Sequence, residues 1–183
     1  MNTGFQLNCS LETLQELIES GDFDFTARSN EGATPLHLVC AANCADKARL
    51  MLEYGARVGI LDAQGRTPLY VVCVHGSTEA AEVLLQYGAN ADEKHLKTGA
   101  SPLTFASVNG NTLLARALLD HGASVDFRDN EGSSPLHYAC NFGHIPMLRL
   151  LLERGASPRL VGEHGCSPLH LACYAKDSTP DVV

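Results

Sequence analysis

The sequence predicts an all-α solenoid, a stack of short helix pairs with no strands to organise it, and three observations carry that reading. A four-residue phrase recurs five times: Thr34-Pro35-Leu36-His37, Thr67-Pro68-Leu69-Tyr70, Ser101-Pro102-Leu103-Thr104, Ser134-Pro135-Leu136-His137 and Ser167-Pro168-Leu169-His170. Its prolines lie 33, 34, 33 and 33 residues apart. A glycine backed by alanine stands 20 residues after each of the first four prolines, at Gly55, Gly88, Gly122 and Gly155. A fixed period of this length marks a repeat architecture, in which each unit buries its apolar face on its neighbours.

One repeat shows how each signal works. In the stretch 129–161, Asn130-Glu131-Gly132 makes a turn and Ser134 caps a helix that Pro135 opens at a position where no amide donor is missed. Leu136, Ala139 and Cys140 follow at helical spacing, toward the next repeat, and Gly143 stops the helix. Pro146 begins a second helix whose apolar stripe is expected from Leu148, Leu151 and Leu152. Gly155 ends it, and Ser157 to Val161 extend outward as a finger. Leu11 to Ile18 reads as the second helix of an incomplete leading repeat, closed by Gly21.

A T-P-L-H-x-A phrase at this period resembles the ankyrin-repeat family from about Leu11 onward. The resemblance implies antiparallel helix pairs with hairpin-like fingers at right angles to them. The predicted units are a capping half-repeat 1–28, repeats 29–61, 62–95, 96–128 and 129–161, and an incomplete repeat 162–183. One extra residue is expected near Lys94 or His95. Asn43 and Cys44 stand where the family carries glycine and histidine, so the first inter-helix loop departs from the pattern. The fifth phrase opens a helix at Ser167, but Pro180 to Val183 starts a second helix that never gains its leucines. The helix is expected to fray after about Ala175, and the chain to be a fragment of something longer or a truncated product.

The formal charge is −8, from 21 acidic against 13 basic residues, which argues against non-specific nucleic-acid binding. No window of 18 apolar residues offers a membrane span, and Met1-Asn2-Thr3-Gly4 opens no secretory signal. Seven cysteines without an export signal suit reduced thiols in the cytoplasm or nucleus. His37/Cys40, His137/Cys140 and His170/Cys173 share helix faces at metal-ligand spacing, with Cys73 continuing the column. Stacked helices stand roughly 8–10 Å apart, too far for adjacent pairs to share one ion. The column is read as core, with cysteine as a small apolar residue. Cys166 is expected to be the most exposed thiol. No catalytic motif, metal set or cofactor motif emerges, so the chain is read as a non-enzyme.

The resemblance implies a partner protein lying along the concave face of finger tips and first-helix ends. The residues mapped there are Arg66, His75, Arg128, Asn141, Phe142 and Tyr174, with further polar finger positions such as Lys97, Asn130, Glu131 and Glu163. Aromatic and arginine anchors dominate interface energetics, so Phe142 and Tyr174 with Arg66 and Arg128 form the expected hot-spot group. The expected function is a monomeric scaffold or adaptor that binds protein. The alternatives are the substrate-recognition part of a SOCS-box ubiquitin-ligase adaptor, or the regulatory region of a larger enzyme or channel with its active module beyond Val183. No SOCS-box residues appear in these 183.

Overall fold

The computed structural model describes residues 9–176, and the expectations about Pro180 to Val183 and about fraying after about Ala175 bear on residues outside that range. The chain divides into two compact units, Met1–Asn90 and Ala91–Val183. The first holds α1 (Leu11–Glu19), α2 (Pro35–Ala41), α3 (Ala45–Glu53), α4 (Pro68–His75) and α5 (Thr78–Gln86). The second holds α6 (Pro102–Val108), α7 (Thr112–Asp120), α8 (Pro135–Asn141), α9 (Ile145–Glu153) and α10 (Pro168–Lys176), with one 3₁₀ turn at Glu163–Gly165. In the first unit α2 packs on α4 and α3 on α1 and α5; in the second α8 packs on α6 and α10, and α7 on α9.

Helix starts follow from the recurring phrase. Thr67 Oγ1 accepts the Tyr70 amide at 3.2 Å and Ser101 Oγ the Thr104 amide at 3.3 Å, so a first-turn donor is satisfied before each helix hydrogen-bonds itself. The Gly-Ala pairs make the stops. Gly55, at φ +95°, donates to Leu52 O at 3.1 Å while Ala56 reaches back to Met51 O at 2.9 Å. That paired closure satisfies the last carbonyls and requires the left-handed residue glycine supplies cheaply. The same two bonds recur at Gly88-Ala89, Gly122-Ala123 and Gly155-Ala156.

The first inter-helix loop keeps its geometry despite lacking glycine. Asn43 itself takes φ +54°, and its side-chain oxygen accepts the hydroxyl of Ser77. Asparagine tolerates the left-handed region better than other side chains, which explains its choice here. Asn43→Ala is expected to lower stability by about 1–2 kcal/mol, more than Asn43→Gly does, in urea titrations. Equal losses would assign the whole effect to the missing Ser77 bond.

One expectation is corrected and one is sharpened. The buried stripe of α9 is Met147, Leu150 and Leu151; Leu148 is half-buried and Leu152 is 49% exposed. The four apolar residues 148 and 150–152 span more of the helix surface than the core covers, and the phase set by α8 and α7 selects the other edge. The inserted residue lies in the turn itself, between His95 and Gly99. There the Gly99 amide bonds to a carbonyl four residues back, whereas Gly32, Gly65 and Gly132 reach three back.

Candidate functional site

Each unit presents a row of finger turns beside the ends of its first helices, and the histidine of the phrase joins the two. His37 Nδ1 receives the Thr34 amide at 3.3 Å and lies 2.7 Å from its hydroxyl; Nε2 stands 2.9 Å from Arg66 O. His137 repeats this with Ser134 (3.0 and 2.8 Å) and with Cys166 O at 3.2 Å. An Nδ1 that accepts an amide leaves the proton on Nε2, which then donates to the finger of the following repeat. Burial lowers the pKa of both rings, which keeps them neutral. In the third phrase Thr104 Oγ1 takes over the local half of the task, accepting the Ser101 amide at 3.3 Å.

Two arginines brace the fingers in the same phase. Arg28 Nη1 donates to Gly32 O at 2.8 Å and to Leu61 O at 3.0 Å. Arg128 Nε donates to Gly132 O at 2.8 Å and its Nη2 to Val161 O at 2.5 Å. Arg66 serves its own turn: Nε meets the buried Asp62 Oδ2 at 2.6 Å, and its amide donates to Asp62 Oδ1 at 2.9 Å. Burial raises the Asp62 pKa, but the Arg66 bonds outweigh it and hold the carboxyl below its ordinary range. Arg66 and Arg128, expected as partner contacts, therefore have structural work. Asp92 and Asp126 similarly accept the amides of Ser124 (2.8 Å) and Ser157 (3.0 Å) in the next finger.

The remaining expected contact residues lie as follows. His75 ends α4, exposed, with Nδ1 donating to Val71 O at 2.7 Å. Asn141 ends α8 and lines a cleft of about 170 Å³ with Glu131, Tyr138, Glu163 and Cys166. Tyr138 sits at its wall, donating to Asp129 Oδ2 at 2.5 Å; burial, then that carboxylate, pushes the phenol pKa up. Phe142 is 51% exposed and stacks on His144 at 6.1 Å, so it is not absorbed by core packing. Tyr174 falls within α10, and its side chain lies outside the described set.

The cysteine column is a core feature. Cys40, Cys73 and Cys140 are buried, and desolvation pushes the Cys40 thiol up to about 12 and Cys140 up to about 11. Among the described residues no group of three or more His, Cys, Asp or Glu is placed to hold a metal. Cys166 is half-buried and Cys173 is the exposed thiol. The finger turn around Cys166 is folded back under the His137 bond, whereas no described helix covers the outer side of α10.

Paired helices, glycine-closed second helices and fingers tied at a constant stagger agree with a family model described as ankyrin repeats (3 copies), which matches residues 5–95 and 90–162. The chain belongs to the ankyrin-repeat family. Comparison with curated proteins finds no match. Ankyrin repeats are generally non-catalytic protein–protein interaction modules, and the fold class is their all-α solenoid. No helix among the described residues of this ankyrin protein is long and apolar enough to cross a membrane.

The bracing role of Arg28 and Arg128 was missed in the sequence, although a signal existed: two arginines 100 residues apart occupy one phase of the repeat. Leu96, 67% exposed on the lengthened finger, was also missed, because the repeat pattern marks that tip only by polar positions such as Lys97.

Proposed function

We propose that this chain is a scaffold or adaptor that binds a partner protein through its finger tips and the exposed ends of its first helices. The observation that supports this most is the state of the α8 end: Phe142 is half exposed and Asn141 is exposed, beside a cleft whose walls are fixed by hydrogen bonds. Side chains presented on rigid backbone lose little entropy on binding, so a few of them suffice for affinity. Aromatic anchors in such settings carry a large share of binding energy.

Affinity capture from cell extract with wild type and with Phe142→Asp/Asn141→Arg tests the reading. The expected result is a protein retained by wild type and reduced about tenfold or more on the variant, with helical signal and unfolding midpoint unchanged. Unchanged capture would overturn the assignment of this surface. Arg66→Glu is unsuitable as a probe, because it would set a second carboxylate against buried Asp62.

A further inference from the structure

The finger tip at Lys94–Thr98 differs from the other described tips in length, charge and polarity together. Its turn is closed by Gly99 N–H to His95 O at 2.8 Å, one residue wider than its counterparts. It carries Lys94 and Lys97, both exposed, in a chain of net charge −8. Among the described residues neither lysine pairs with a carboxylate. Leu96, 67% exposed, stands between them, where the tips at Asn30-Glu31 and Asn130-Glu131 are polar.

This apolar point is held in place. Asn130, in the next tip, donates its amide to Thr98 O at 3.0 Å and its side-chain NH₂ to Lys97 O at 3.0 Å. Gly99, at φ +69°, approaches so closely that a Cβ there would lie 2.3 Å from Asn130 Oδ1. His95 Nδ1 meets Thr98 Oγ1 at 3.0 Å, and its amide donates to Ala100 O at 2.9 Å. The backbone on both sides of Leu96 is thus ordered before any partner arrives, which removes an ordering cost from binding. Two lysines beside it select for negative charge and speed encounter with it.

We propose that the Lys94–Lys97 finger tip is the anchoring element of the protein-binding surface, with Leu96 packing on apolar side chains of a partner segment whose carboxylates pair with Lys94 and Lys97. The inference rests on the protein-binding reading above and adds the partner's chemistry: an acidic segment with apolar residues, despite the acidity of this chain.

The test is selection of a random peptide library displayed on phage against the full chain, followed by anisotropy titration of the enriched peptides. Enriched sequences are expected to combine Asp or Glu with Leu, Ile or Phe, and their affinity to fall as salt rises. Leu96→Glu and the pair Lys94→Glu/Lys97→Glu are each expected to weaken binding about tenfold or more. A basic consensus, an unenriched library, or affinities within about twofold for Leu96→Glu would overturn the proposal. Peptides insensitive to Leu96→Glu but lost on Phe142→Asp would overturn the tip alone and leave the wider surface standing. Peptides insensitive to both would overturn both.

Discussion

Leu103→Ala is expected to cost about 2–5 kcal/mol of unfolding free energy, read from urea or thermal denaturation, and Leu136→Ala a similar amount. Both side chains are essentially inaccessible, at 0% and 1% exposure, at the first turn of α6 and α8. Each is wedged between its own second helix and the neighbouring first helix. Truncation removes the transfer free energy of the buried methyl groups and leaves a void that packed helices close only in part. Leu11 has the same side chain but is 42% exposed on α1, so Leu11→Ala should cost under about 1 kcal/mol. Stability in a repeat array is a sum of unit and nearest-neighbour terms, which is why position outweighs residue type. Equal losses at Leu11 and Leu103 would contradict that picture.

His137→Ala, and likewise His37→Ala, is expected to lose about 1–3 kcal/mol, because each leaves a buried phrase amide and a finger carbonyl short of a partner. The same histidines make stability depend on pH. Desolvation holds both folded-state pKa values below the ordinary 6.5, so the unfolded chain binds protons first. Their contribution is intact above pH 6.5 and is lost as pH falls through that value toward the lowered folded pKa. Protonation of Nδ1 also turns its acceptor into a donor facing the Thr34 or Ser134 amide. The urea midpoint of wild type should therefore drop as pH falls through about 6.5, above the range where carboxylates titrate. His37→Thr/His137→Thr, which copies Thr104 of the third phrase, should flatten that slope. A variant with the wild-type slope would show that the phrase histidines are not its source.

Much of the fold is legible because its determinants are local. Thr67, Pro68 and Gly88 act within a few residues of themselves, through a cap, a fixed φ and a left-handed stop. The leading helix at Leu11 and the closure at Gly21 were readable for the same reason. The candidate site was legible only as a set of positions. Asn141, Phe142 and His75 are exposed where the repeat phase puts them, and the same phase offers Arg66, half-buried, and Arg128, exposed, which also brace turns. Their guanidiniums bond to Asp62, Gly132 and Val161, and no spacing rule distinguishes an arginine that braces a turn from one that awaits a partner.

The sequence by itself determined the all-α repeat, its period, and its helix starts and stops. These rest on contacts within one repeat or at a constant offset of about one repeat, and periodicity displays such contacts directly. The tertiary structure decided which side of α9 is buried, that Cys173 rather than Cys166 is the exposed thiol, and where the inserted residue sits. It also showed the phrase histidines reaching the next finger, and Asn130 bonded to the backbone beside exposed Leu96. Each of those turns on what a neighbouring element covers, and coverage is a property of packing in space that no single stretch of chain carries.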